Sequence, residues 1–255
     1  MAALAPVKRA SKYLLIDISN SFTKLAFASP ERIGQPRRLA TEKFSAASLR
    51  RFIHGRKIDI VVVASVVPAK NSIVPKAVGK AKVLWLGPQL KLGVGVDYPK
   101  PKTIGADRLA NASAVAALYG WPAIVVDFGT AVTFDIVSEA KKYIGGVIAP
   151  GLEAMTNFLY QRTALLPKIS LSEPRRAIGR STIEAMRSGA VWGYRGLVRE
   201  IIARIKAERF ANRRVHVVAT GGYASLIAAK LREIDFVRPH LTLDGLRIIA
   251  NLNRG

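Results

Sequence analysis

The chain has 255 residues, half of them apolar, no cysteine, and 40 basic against 17 acidic side chains for a formal charge of +23. This length suits one large or two medium domains with a substantial core, and the lack of cysteine excludes disulfides, thiolate metal sites and a cysteine nucleophile. No apolar run, Ile60 to Pro68 among them, reaches the length of a membrane span. Residues 1–12 carry Lys8, Arg9 and Lys12 with no apolar stretch behind them, so they read as a basic tail on a cytoplasmic protein.

In chain order, Tyr13 to Ile18 and Thr23 to Ser29 read as a strand pair, followed by a return near Arg38 to Phe44. A short helix over Ala46 to Gly55, the buried strand Ile58 to Ser65, a further helix and the strand Lys82 to Leu86 come next. Gly87 to Thr103 holds Pro88, Pro99 and Pro101 with Gly93 and Gly95 and is expected to be a surface loop. Gly105 to Tyr119 has helical spacing, Gly120 stops it, and Trp121-Pro122 is the expected join between domains 13–120 and 121–255.

The second half restarts the first. Leu14-Leu15-Ile16-Asp17-Ile18-Ser19-Asn20-Ser21-Phe22-Thr23 is matched 110 positions later by Ile124-Val125-Val126-Asp127-Phe128-Gly129-Thr130-Ala131-Val132-Thr133. Each copy is a buried strand ended by an aspartate, a turn of small residues and a returning strand. Such turns leave backbone N–H groups and hydroxyls for an anion while the aspartate holds a cation, so the matched pair points to a nucleotide polyphosphate and its metal. Two unrelated hairpins are the competing reading.

Beyond the repeat come a strand over Tyr143 to Ala149, a helix to Arg162, the loop Leu166 to Gly179, and a long helix opened by Ser181 with Glu184 at capping-box spacing. Gly189, Gly193 and Gly196 lie in that helix. Glycine weakens a helix by about 1 kcal/mol relative to alanine, so three together suggest a close neighbour, such as a second subunit. A strand over Val215 to Ala219, the Gly221-Gly222 turn and two helices complete the chain.

Between the two loops, Gly105-Ala106-Asp107-Arg108 opens a helix. Asp107 is favoured there by the helix dipole whether or not it does chemistry, and an ionised carboxylate beside a guanidinium suits proton acceptance from an anionic substrate. The three histidines have no ligand spacing. Of the basic residues, 20 of the 40 lie at or before Asp127, so the excess is diffuse and reads as a solvated surface rather than a nucleic-acid footprint.

The order of these parts resembles the type III pantothenate kinases of the acetate kinase, sugar kinase, Hsp70 and actin superfamily. The resemblance runs from Leu14 to Asn251 and takes in Tyr98 with Pro101, Gly145 to Gly151, Ile178 to Thr182, Thr220-Gly221-Gly222 and Leu241 to Leu246. It implies an α/β fold of two actin-like (ribonuclease H-like) domains, each a mixed sheet flanked by helices, with an interdomain cleft. It further implies transfer of phosphate from ATP to pantothenate, the first step toward coenzyme A, with magnesium and a monovalent cation, potassium or ammonium.

By that resemblance Asp17, Ile18, Ser19, Asn20, Ser21, Phe22, Thr23 and Lys24 form the first phosphate loop, Asp17 being a possible magnesium ligand. Thr130 contacts the nucleotide and Asp127 the monovalent cation. Tyr98 and Gly105, Ala106, Asp107 and Arg108 hold pantothenate, Asp107 accepts the proton, and Thr182 reaches the substrate in a homodimer built on the glycine-containing helix. One departure matters. Ser19 stands where the family has glycine, which allows positive φ or close approach to phosphate, so weakened ATP binding is expected. Two rivals stay open: a nucleic-acid-associated regulator like the Bvg accessory factors, which share the fold, and a kinase of another small alcohol.

Overall fold

A computed structural model describes residues 13–211 and 213–254; the basic tail over 1–12 lies outside them. The first part runs β1 (Tyr13–Ile18), β2 (Phe22–Ala28), β3 (Arg37–Ala40), α1 (Ala46–Ile53), β4 (Ile60–Ser65), α2 (Pro75–Val78) and β5 (Lys82–Trp85). It continues through β6 (Gly95–Val96), α3 (Ala106–Leu118), β7 (Ala123–Phe128), β8 (Ala131–Val137), β9 (Lys142–Pro150) and α4 (Leu152–Arg162). Last come α5 (Thr182–Ile205), β10 (His216–Gly221), α6 (Ala224–Ala228), β11 (Phe236–Val237) and α7 (Leu241–Leu252).

The duplication read from sequence extends to topology. One sheet has the order β3-β2-β1-β4-β5 and the other β11-β10-β7-β8-β9-β6. In both, the strand ending in aspartate pairs antiparallel with its hairpin partner and parallel with a later strand. Every residue of β1 is buried, as the near-continuous apolar run of a strand covered on both faces requires. Leu14, Ile16, Leu25 and Val63 on one face of the first sheet share a core with Leu49 of α1 and Val74 and Val78 beside and within α2. In the second sheet Ile124, Val126, Phe134 and Val217 share theirs with Val191, Tyr194 and Val198 of α5.

Two compact units result. The first holds the described residues up to Leu92, with Ile104–Ala110 and the chain from Leu243; the second holds Gly93–Thr103 and Asn111–Thr242. Within the first, Tyr13 donates to Asn251 Oδ1 at 2.9 Å and so ties β1 to α7.

Some expectations need adjustment. Gly87 to Thr103 is not loop throughout, since β6 pairs in parallel with Lys142 and Tyr143 at the edge of the second sheet; two residues, one a glycine, leave no periodicity to read. The Ser181 cap forms, accepting from Glu184 N at 3.2 Å. However, Glu184 Oε2 takes the N–H of Arg180 at 2.8 Å rather than returning to Ser181.

Candidate active site

The first loop is the turn between β1 and β2. Asp17 is 2% exposed, because its strand continues into the core, and both its oxygens are engaged: Ser19 Oγ donates to Oδ1 at 2.9 Å and Lys24 Nζ lies 3.4 Å from Oδ2. Lys24 is its cross-strand register partner. Ile18 and Thr23 are buried at the loop's two ends, while Asn20 and Ser21 are exposed at its tip. Thr41 braces the turn from behind, donating from Oγ1 to Ser19 O at 2.6 Å and from its backbone to Ser21 O at 3.0 Å. Ser19 is absent from the positive-φ residues, which outside glycine are Lys141 and Ala211 among the described residues. The positive-φ reason for a glycine there does not apply to this backbone; what serine adds is a hydroxyl on the Asp17 carboxylate.

The second loop joins β7 to β8. Asp127 is half-buried, and in register it stands beside Thr133 of β8 and Thr220 of β10, a polar row across three strands. Its Oδ2 accepts from Asn111 Nδ2 at 3.1 Å, and Asn111 Oδ1 in turn accepts from Thr242 Oγ1 at 3.0 Å. Thr220 Oγ1 is buried with no hydrogen-bond partner among the described residues. Gly221 has φ +94°, and a Cβ there would stand 2.6 Å from both Asp127 Oδ1 and Phe128 O, so only glycine leaves this space open. Thr130 is exposed at the loop tip, its carbonyl accepting from Gly151 N at 3.1 Å.

Gly105 precedes α3, and Ala106, Asp107 and Arg108 form its first turn; Asp107 and Arg108 are half-buried, and Asp107 Oδ1 accepts from the Arg108 backbone at 2.9 Å. In the second unit Tyr98 follows β6 and lays its ring on the backbone of Gly145, 3.6 Å from where a Cβ would stand, with its centroid 6.2 Å from that of Tyr143. Thr182 begins α5, is exposed, and makes no side-chain hydrogen bond among the described residues.

The structure thus brings Asp17 through Lys24 into one braced loop, and Gly105 through Arg108 into one helical turn of the same unit. Tyr98, Asp127, Thr130 and Thr182 belong to the other unit. Thr220 and Thr242 lie in the matched runs named above but carry no role there, and Asn111 is not singled out. Asn111 had a signal, an amide four positions after Asp107 in an alanine-rich helix.

The chemistry available is that of hard oxygen donors, exposed amides and paired cations, which suits phosphate and its counter-ions. Solved structures with this frame include a Campylobacter jejuni protein assigned as a Baf family transcriptional activator, at TM-score 0.59 and 19% identity over 94% of this chain and 98% of that one. A Sinorhizobium meliloti protein assigned as a 2-dehydro-3-deoxygalactonokinase aligns at TM-score 0.58 and 11% identity, with the same coverages. The fold class is therefore the two-domain actin-like one that sugar kinases share.

A family model for type III pantothenate kinase matches residues 13–204. Relatives of that description from Akkermansia muciniphila and Methylacidiphilum infernorum are 52% and 41% identical, each over 94% of this chain and over 99% and 88% of their own lengths. The chain belongs to the type III pantothenate kinase family.

Proposed function

We propose that this protein transfers the γ-phosphoryl group of ATP to the primary hydroxyl of pantothenate, giving 4′-phosphopantothenate and ADP at the first step of coenzyme A synthesis. The observation that carries this reading is full-length membership of the family together with an intact Gly105-Ala106-Asp107-Arg108 turn at the start of α3.

The roles follow from the chemistry of each group. Exposed Asn20 and Ser21 at the tip of the first loop offer donors to phosphate oxygens, and Lys24 supplies positive charge there. Thr130 offers a hydroxyl from the second loop. Tyr98, Gly105 and Ala106 shape the pantothenate site, and Arg108 pairs with an anionic oxygen of the reactants. Asp107 takes the hydroxyl proton as the new O–P bond forms and the bond to ADP breaks. Phosphoryl transfer has a loose transition state that depends on positioning and charge neutralisation, so the base acts late.

Asp127 Oδ1 and Phe128 O border the space kept open by Gly221, and the buried Thr220 Oγ1, without a hydrogen-bond partner among the described residues, belongs to the register partner of Asp127; this oxygen set fits a monovalent cation, potassium or ammonium. Asp17 is a single buried carboxylate, sufficient for magnesium that is otherwise held by phosphates and waters. When bound, these ions supply neutralisation of phosphate charge.

We further assign a homodimer. A Cβ on Gly189, Gly193 or Gly196 would meet nothing within 4 Å among the described residues, so no other described part of this chain explains these glycines. Trp192, Ile183 and Phe158 are exposed in the same unit, at 47%, 44% and 58%. A second copy covering this face would bring its neighbour to Thr182. The reaction's use of ATP supports a cytoplasmic location, and no helix among the described residues is long and apolar enough to cross a membrane.

ADP release from ATP and magnesium, with and without pantothenate, in potassium and again in sodium, tests the reading. Pantothenate-dependent turnover that requires potassium and falls about 10²–10⁴-fold in Asp107→Asn is expected. No turnover in either salt would favour the regulatory reading, with salt-dependent DNA binding as its signature.

A further inference from the structure

We infer that Arg38, on the edge strand β3, is a second polyphosphate-binding cation of the first loop. The inference rests on the phosphate-loop reading of Asp17 through Lys24. Asp17, Lys24 and Arg38 are successive register partners across β1, β2 and β3, so their side chains share one face of the sheet. Asp17 accounts for the charge of Lys24 at 3.4 Å. Arg38 makes no ion pair among the described residues, and instead its guanidinium carbon lies 3.3 Å from the ring centroid of Phe22. The row therefore carries one net positive charge, with the exposed Asn20 three positions after Asp17 and the exposed Ser21 three before Lys24.

Like charges directly opposite each other on antiparallel strands are unfavourable, and Lys24 with Arg38 is such a pair. Charges on an edge strand do discourage edge-to-edge pairing. That need is already met by Arg37, whose partner is Leu25 and which points to the opposite face. The molecule also contains its own comparison. In the second sheet the equivalent row reads Asp127, Thr133, Ile148, so the duplicated frame does not itself require cations at these positions. An anion placed against both turns the repulsion into joint recognition. Stacking on Phe22 fixes a planar guanidinium, which suits phosphate oxygens. It also gives Phe22 a task in a loop otherwise made of small residues.

Binding of MgADP and of AMP, measured by calorimetry on the full-length protein, tests this. Arg38→Met keeps the stem on Phe22 and removes the charge. It is expected to weaken MgADP at least tenfold while leaving AMP within about threefold, and to raise the Michaelis constant for ATP with pantothenate unaffected. Arg38 is exposed, and should the methionine variant melt early, Arg38→Gln carries the same test. Arg37→Met is expected to leave MgADP within twofold; an equal loss there would reduce the effect to general surface charge and overturn the assignment. If Lys24→Met weakens MgADP and Arg38→Met does not, Arg38 has no such role. If neither variant weakens MgADP, the loop reading falls together with it.

Discussion

Asn111 donates from its side-chain amide to Asp127 Oδ2 at 3.1 Å. The ionised carboxylate only accepts, so the amide NH₂ faces it and the amide oxygen is left to accept from Thr242 Oγ1 at 3.0 Å. Asn111 is fully buried, so the three groups form a closed polar chain that holds Asp127 in one position.

Asn111→Ala removes that support and leaves a buried hydroxyl and a carboxylate oxygen short of partners. The expected loss of stability is about 1–3 kcal/mol. If Asp127 holds the monovalent cation, the potassium concentration for half-maximal turnover rises several-fold as well. A thermal melt beside a potassium titration separates the outcomes: a lower melting temperature with an unmoved potassium curve assigns Asn111 to packing alone.

Gly145 carries Tyr98. Its φ is +126°, a region side chains rarely adopt, and its missing Cβ leaves the surface on which the Tyr98 ring lies. A Cβ there would meet the ring at ordinary van der Waals distance, so Gly145→Ala acts through the strained φ; it is expected to shift the backbone beneath Tyr98 and raise the Michaelis constant for pantothenate about tenfold, with that for ATP within twofold. Equal changes in both constants would show a disturbance of the sheet rather than of a substrate site.

Ser19→Gly restores the residue usual in this family. With no positive φ at stake, the change acts by releasing Asp17 Oδ1 from the Ser19 hydroxyl. The Michaelis constant for ATP at limiting magnesium is expected to fall two- to threefold, at a stability cost of roughly 0.5–1 kcal/mol from added chain entropy. An unchanged or higher constant would mean that the hydroxyl does not compete with the nucleotide and its metal.

Much of this was legible in the chain because strand signals here are strong and local. The two strand–Asp–turn–strand segments form inner hairpins of the two sheets, and the buried runs at Leu14 to Ile18 and Ile124 to Val126 lie where an alternating or continuous apolar pattern puts them. Lys24 beside Asp17 was also implied, since a hairpin pairs residues equidistant from its turn. What could not be read is contact at long range. Thr242 and Asn111 are 131 positions apart, and no periodicity announces their meeting. Arg38 looked like one of many surface cations until the register aligned it with Lys24. The edge strands β6 and β11, two residues each, are too short for any pattern.

Trp192 tests the subunit contact. It is 47% exposed beside Gly193 on α5, with its ring centroid 5.2 Å from the Arg195 guanidinium carbon, and Trp192→Asp puts a charge in place of that apolar surface. The variant is expected to sediment as a monomer at micromolar concentration with an unaltered melting curve at the level of secondary structure, and to lose pantothenate turnover. A monomeric variant with full turnover would show that the site needs no partner, and an unmodified dimer would move the interface elsewhere.

Glu173 should make the protein sensitive to acid. Arg195 is 2% exposed, bonds both Glu173 oxygens, at 3.0 and 2.6 Å, and donates to Leu226 O at 2.7 Å, so the loop between α4 and α5 is clamped to the helix. The hydrogen bond from Arg195, aided by Lys230, holds the Glu173 carboxyl below its ordinary value of 4.5. A depressed folded-state pKa contributes stability that is present above the unfolded value and is lost as pH falls through the folded one. Because Glu173 is 38% exposed, solvent screening reduces the contribution to about 1 kcal/mol. Glu173→Gln is therefore expected to be less stable than the parent at pH 7 and to converge with it below pH 4.5, in denaturant melts taken at both pH values. A gap that stays constant across that range would assign the clamp to packing of the Arg195 stem rather than to the charge of Glu173.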